Sequence, residues 1–104
     1  MRPNSAEKRS RARLDQQLAK LLDAHRETIS LHKHGLYTRL ERLRADGITP
    51  ADGQYQVEQQ HSAFMTERIT EDTITAIRQR LQTYNNAIAQ QTGNQLAAQQ
   101  PAAP

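Results

Sequence analysis

Apolar residues recur every seven positions along the first 45 residues of the chain. Leu22, Ile29, Leu36 and Leu43 form one stripe, which Leu14, Leu18 and Leu21 extend backwards and Leu40 broadens. Seven-residue spacing is typical of helices that pack side by side as in coiled coils. The pattern predicts a long helix near residues 5–46. The intervening positions of this repeat hold polar residues, which weaken such a seam but can fix its register: His25, His32 and Arg39.

A second stripe follows beyond residue 50. Its members are spaced three and four apart, as on one face of a helix, and predict a second helix near residues 50–92. They are Ile74, Ile77, Leu81, Tyr84 and Ile88. Gly93-Asn94 is predicted to end this helix, and the Ala/Gln/Pro-rich residues 94–104 are expected to form a disordered tail. The domain organisation is therefore one helical domain over residues 1–93, with a basic N-terminal arm, followed by that tail.

Residues 46–52 carry signals for a tight turn between the helices. Gly47 suits the left-handed backbone conformation that ends many helices. Thr49 is a good N-cap, Pro50 fits the first helical position, and Asp52 would stand at the third. The two helices are therefore expected to fold back on one another.

The second helix has an alternative form. Thr70 resembles a fresh N-cap followed by the acidic Glu71 and Asp72, and the apolar stripe changes phase at this point. A break near residue 70 would give three helices instead of two.

Folding the chain at the turn brings residues together whose numbers sum to about 97. Leu40 would then face Val57, and Leu14 would face Tyr84, so the two stripes match along their length. The predicted fold is an all-α, coiled-coil-like antiparallel hairpin. In a two-helix hairpin, one flank of the apolar seam remains exposed to solvent. We therefore expect a second copy of the chain or a helical protein partner to cover it and complete the core. The predicted interaction seam is Leu14, Leu18, Leu22, Ile29, Leu36, Leu40, Leu43, Val57, Ile74, Ile77, Leu81 and Tyr84.

Composition excludes several classes of function. The 104 residues allow one small domain, and without cysteine there is neither a disulfide nor a thiolate metal site. No apolar run reaches the roughly 20 residues of a membrane helix, and the N-terminus lacks a secretory signal. A soluble, cytoplasmic protein with no membrane contact is expected.

Basic charge is concentrated in the first half of the chain. Residues 1–44 have 11 Lys/Arg and 5 Asp/Glu, whereas the remaining residues have a net charge of −3. Lys8, Arg9, Arg11 and Arg13 form an N-terminal cluster that could bind the phosphates of nucleic acid. The segment Ala6 to Arg13 resembles the arginine-rich arm of phage N-type antitermination proteins, which implies RNA binding. A solvated basic helix start is the alternative interpretation.

The four histidines are the candidate metal ligands. His25 and His32 lie seven apart on one face, His34 points elsewhere, and His61 would lie near Leu36. No two histidines have the i, i+4 spacing that presents two zinc ligands on one helix, and no HExxH motif occurs. We therefore predict no metal site and interpret His25 and His32 as ordinary hydrogen-bonding residues.

One enzyme family shares the helical plan. The run Leu14 to Leu22, together with Ile74-Thr75 and Gln90, resembles the all-helical chorismate mutases. That resemblance implies a cationic pocket around a dianionic substrate. His25 stands where the first-helix arginine would be, and Tyr55 and Gln56 stand at the second-helix Arg-Glu pair, so this pocket is not predicted.

The sequence therefore favours a non-enzymatic interaction or assembly protein, with no cofactor and no small-molecule ligand. It would self-associate or clasp a partner helix through the seam. The form is like that of small chaperones or phage and plasmid accessory proteins. The alternatives are a nucleic-acid-binding regulator that uses the N-terminal basic helix and, third, a chorismate-mutase-like enzyme.

Overall fold

Two long antiparallel helices form an extended hairpin. The computed structural model describes residues 5–99, and the side chains of residues 5–93; α1 spans Ser5–Ala45 and α2 spans Gly53–Gln99. The molecule measures 86 × 24 × 15 Å, and its radius of gyration is 23.7 Å. A compact domain of this length would have a radius of gyration of about 13 Å. The hairpin is therefore a rod, as the paired stripes predict.

The turn between the helices has the predicted chemistry. Gly47 has a φ of 82°, and its N–H donates to the carbonyl of Arg44 at 3.0 Å, while the N–H of Ile48 donates to the carbonyl of Leu43 at 2.9 Å. These two bonds are the Schellman pattern, which satisfies carbonyls at the end of a helix. Leu43 and Ile48 are also both half-buried, as the apolar contact of that motif requires.

A side-chain contact holds the turn immediately before α2, which begins at Gly53 and therefore three residues later than the start predicted at Pro50. The Asp52 carboxylate accepts from the Thr49 N–H at 2.7 Å and from the Thr49 hydroxyl at 3.1 Å. The Asp52 N–H donates to the Thr49 carbonyl at 2.9 Å and the Gln56 N–H donates to the Asp52 carbonyl at 3.1 Å. Residues 49–52 therefore form a turn, and Asp52 occupies the N-cap position that we predicted for Thr49. Pro50 lies between them and has no N–H to satisfy. The chain thus reverses direction within residues 46–52.

The two-helix form is the one observed, because α2 runs unbroken through Thr70. The Thr70 hydroxyl donates to the carbonyl of Thr66 at 2.9 Å instead of capping a new helix. Thr73 and Thr83 donate to carbonyls four residues back in the same way. Such bonds let a threonine lie inside a helix without breaking it.

The helix also continues past Gly93, where we predicted its end, through Gln99. Glycine in a helix costs roughly 1 kcal/mol relative to alanine, which is too little to stop a helix by itself. Gly93 has nothing like the left-handed backbone of Gly47. Of the predicted disordered tail, residues 100–104 lie outside the described part of the chain.

The layer between the helices is thin. Among the described side chains, the buried ones are Leu14, Tyr55 and Ser62. Leu18, Ile29 and Ile77 are only half-buried, and several other members of the two stripes are exposed. Neither helix, within residues 5–99, is apolar over enough length to cross a lipid bilayer. The fold therefore leaves much of its apolar surface in contact with solvent.

Candidate interaction surfaces

Polar side chains join the two helices at regular intervals. Four pairs make up this polar ladder, and each α1 member lies five to seven residues beyond the last. The pairs are His25 Nδ1 with Thr73 Oγ1 at 3.0 Å, His32 Nε2 with Ser62 Oγ at 2.8 Å, Arg39 Nε with Glu58 Oε2 at 3.1 Å, and Arg44 Nη2 with Tyr55 OH at 3.0 Å. Their residue numbers sum to values close to the predicted 97. The polar residues that interrupt the heptad pattern, His25, His32 and Arg39, are thus residues that form hydrogen bonds between the helices.

The Thr73 hydroxyl lies within hydrogen-bond distance of two groups. Its oxygen is 3.1 Å from the carbonyl oxygen of Ile69 and 3.0 Å from His25 Nδ1. The tautomer of His25 decides which of the two groups donates in the second contact. His25 thus takes part in an ordinary hydrogen bond within the hairpin. Its partner in α2 is Thr73.

Arg44 forms the pair of the polar ladder that lies nearest to the turn. Its guanidinium carbon lies 5.6 Å from the centre of the Tyr55 ring, and its Nη2 donates to the phenol oxygen. Tyr55 is 3% exposed, the most buried side chain described. The arginine therefore satisfies the one polar atom of an otherwise apolar residue.

The predicted seam residues divide into two groups. Leu14 is buried, and most of the others are half-buried between the helices: Leu18, Ile29, Leu36, Leu40, Leu43, Ile77 and Tyr84. The four remaining members are exposed: Leu22, Val57, Ile74 and Leu81. Packing of the two helices within one chain therefore does not bury all of the predicted seam residues.

Val57 lies on the outer face of α2. Two residues before it, Tyr55 points into the hairpin, and a step of two residues turns a helix by about 200°. Val57 is accordingly 62% exposed and does not meet Leu40 as the register predicts. Phe64, seven residues further on, shares this outer face and is 59% exposed.

Leu22, Ile74 and Leu81 lie on one flank of the hairpin. At the open end of the molecule, Asp15 of α1 and Ile88 of α2 line the same shallow groove. Leu22 follows Asp15 by seven residues, while Leu81 and Ile74 precede Ile88 by seven and fourteen. Residues seven apart share a helix face. We call Leu22, Ile74, Leu81 and Ile88 the apolar flank.

The N-terminal basic residues divide between the two flanks. Lys8 and Arg11 line the groove beside the apolar flank, where Arg11 Nε lies 3.2 Å from Asp15 Oδ1. Arg9 and Arg13 line a groove on the opposite side. The helix thus separates the predicted cluster into a pair near an acidic residue and a pair away from one.

Arg80 of α2 joins Arg13 on that opposite side. Both side chains line one groove together with Ser10, Gln17 and Thr83, and its lining includes no acidic residue. The charge distribution along the sequence does not single out Arg80, because Arg80 lies in the half of the chain with negative net charge. The register would have found it, since a sum of 97 places Arg80 opposite Gln17, one turn from Arg13.

The remaining candidate chemistry is accounted for by the ladder or lies at the surface. His34 and His61 are exposed. Within the described residues, no three His, Asp or Glu side chains are grouped as metal ligands would be. Of the positions that the mutase resemblance concerns, His25 and Tyr55 are engaged between the helices and Gln56 is exposed.

Comparison with protein-family models, curated proteins and solved structures finds no match to this chain.

Proposed function

We propose that this protein is a non-enzymatic helical assembly protein whose hairpin self-associates through the apolar flank. The observation that carries the proposal is the exposure of Leu22, Ile74 and Leu81, which are 45%, 42% and 38% exposed on one side of the rod. Large aliphatic side chains grouped on one flank favour association, because burying them removes apolar surface from water.

The total surface supports the same interpretation. The chain exposes 8576 Å², whereas a compact monomer of its mass would expose about 6,000 Å². A standard protein interface buries about 800 Å² on each partner. The chain therefore exposes more area than a compact monomer, and the difference is larger than the area that one partner of such an interface buries.

A second copy is the occupant that fits the flank best. The flank includes residues of both helices and extends along the rod, so its partner must offer an apolar surface of comparable length. A second hairpin related by a two-fold axis supplies an identical surface and completes a four-helix bundle. A helix of another protein is the competing occupant.

A matched pair of variants tests this proposal. Leu22→Asp places a charge on the apolar flank, whereas Leu31→Asp makes the same change on the same helix at a side chain that is 67% exposed. Light scattering should give twice the chain mass for the unmodified protein and for Leu31→Asp. Leu22→Asp should give the mass of one chain at the same protein concentration.

Two results would overturn the proposal. A single-chain mass for the unmodified protein, with cooperative unfolding, would mean that the flank receives a different protein. An identical mass for both variants would mean that the flank is not the interface. An assay for chorismate consumption, in which we expect no activity, tests the enzyme alternative separately.

A further inference from the structure

The flank opposite the apolar flank has a chemistry that self-association does not use. Arg9 and Arg13 of α1 and Arg80 of α2 line two adjoining grooves there. Lys20 follows Arg13 by seven residues and therefore lies on the same face of α1. We call Arg9, Arg13, Lys20 and Arg80 the basic flank.

No ion pair among the described side chains neutralises these cations. The ion pairs of the described residues involve Arg11, Arg26, Arg39 and Arg44, and none involves a member of the basic flank. Arg9 donates from Nε to the carbonyl of Ser5 at 3.3 Å, which orients its guanidinium without cancelling the charge. Four unpaired cations on one side of a rod repel one another, and a bound anion would relieve this repulsion.

The side chains around these cations are suited to phosphate oxygens. Ser10, Gln16, Gln17 and Gln91 line the two grooves, and neither lining includes a carboxylate. Hydroxyl and amide groups donate hydrogen bonds to phosphate and sugar oxygens. Arginine can bind a phosphate through two parallel N–H donors.

We propose that the basic flank binds the phosphodiester backbone of a nucleic acid duplex. Arg9 and Lys20 are eleven residues apart, so they span about 16 Å along α1, which equals the axial length of roughly five base pairs. The grooves of the basic flank hold one aromatic side chain, the half-buried Tyr84. Single-stranded nucleic acid is usually bound by stacking its bases on exposed aromatic rings, so the flank suits a duplex better.

This proposal goes beyond self-association and does not depend on it, because the two flanks face opposite sides of the rod. The participation of Arg80 distinguishes binding by the basic flank from binding by a basic N-terminal arm. An arm would bind through α1 alone, whereas the flank needs one cation from each helix and hence the folded hairpin.

The test measures fluorescence anisotropy of a labelled DNA duplex with three forms of the full chain. The first is the unmodified protein, and the second is Arg13→Gln with Arg80→Gln. The third is a control, Arg26→Gln with Arg68→Gln, which removes the same net charge from exposed positions outside the basic flank. Circular dichroism should show the same helicity for all three forms.

For the unmodified protein, the logarithm of the affinity should fall linearly with the logarithm of salt concentration. Four phosphate contacts predict a slope of about −3 to −4 between about 50 mM and about 200 mM salt. The Arg13/Arg80 variant should bind at least about tenfold more weakly, with a slope smaller by about 2. The control should stay within about threefold of the unmodified protein.

Several results would overturn the proposal. These are no binding at the lower salt concentration, equal losses in the two double variants, or an affinity that is insensitive to salt. Tighter binding of a single-stranded RNA of equal length would contradict duplex recognition. Competition by poly-glutamate as effective as that by unlabelled duplex would indicate an acidic protein partner. Tighter binding of the duplex than of either competitor would support the proposal.

Discussion

His32 Nε2 lies 2.8 Å from Ser62 Oγ and 3.2 Å from the Ser62 carbonyl oxygen, in the middle of the hairpin. Ser62 is 5% exposed, so its hydroxyl has little access to water. A buried polar group without a partner is costly. This contact therefore specifies which residues of α1 and α2 lie opposite each other, because a shifted register would separate the two side chains.

The His32–Ser62 pair should show energetic coupling. We expect Ser62→Ala to lower the free energy of unfolding by about 1 kcal/mol, since it removes one partner of the bond. His32→Leu alone should cost more, because it leaves the buried Ser62 hydroxyl without His32. The double variant should be more stable than the sum of the two losses predicts, by about 0.5 kcal/mol or more. Urea unfolding at one fixed protein concentration measures all four forms, and strictly additive losses would show that the contact does not set the register.

Leu14 should be the most sensitive apolar position near the open end of the rod. It is 5% exposed, whereas Leu31 of the same helix is 67% exposed. We expect Leu14→Ala to cost about 2 to 3 kcal/mol, the lower part of the range for buried leucine, because a thin two-helix layer can partly collapse around the gap. Leu31→Ala should change stability by less than about 0.5 kcal/mol. Thermal unfolding followed by circular dichroism gives both values, and equal effects would mean that the helices do not pack at Leu14.

Two glycines should respond in opposite directions to alanine. A Cβ on Gly35 would lie 3.3 Å from Arg39 Nη1, the end of a flexible side chain that can move aside. Gly35→Ala should therefore stabilise the hairpin by about 0.5 to 1 kcal/mol, because alanine favours the helix. Gly47→Ala should destabilise it by about 1 kcal/mol or more, since a φ of +82° strains any residue with a Cβ. A loss of stability in Gly35→Ala would show that Arg39 is held rigidly by Glu58.

The contact between Asp52 and Thr49 in the turn before α2 should contribute measurably to stability. Asp52→Ala removes the acceptor for both the N–H and the hydroxyl of Thr49, and we expect a cost of about 1 kcal/mol. Asp23→Ala is the matched control, because it removes an exposed carboxylate whose 3.9 Å ion pair with Arg26 is worth little. Denaturant unfolding compares the two variants. A loss in Asp23→Ala as large as that in Asp52→Ala would point to net charge as the cause and not to the contact with Thr49.

Sequence patterns predict the local elements of this protein because each depends on neighbouring residues. The helical stripe through Leu22, Ile29, Leu36 and Leu43 predicts α1. Gly47 and the Thr49–Asp52 pair predict the turn. Since the turn length then fixes which residues stand opposite, the register near 97 also follows from the sequence, and the polar ladder agrees with it.

The rotation of each helix about its own axis was decided only by the tertiary structure. An α-helix of 3.6 residues per turn drifts by about 20° per heptad from a seven-residue repeat, so over about forty residues a stripe no longer identifies one face. Packing turned His25 and His32 inward and left Val57 outside. It also brought Arg80 into the same groove as Arg13. These residues are 67 positions apart in the sequence, so the distribution of charge along the chain does not reveal that they are neighbours. The sequence determined the hairpin, and the mutual packing of its helices determined which side chains each flank presents.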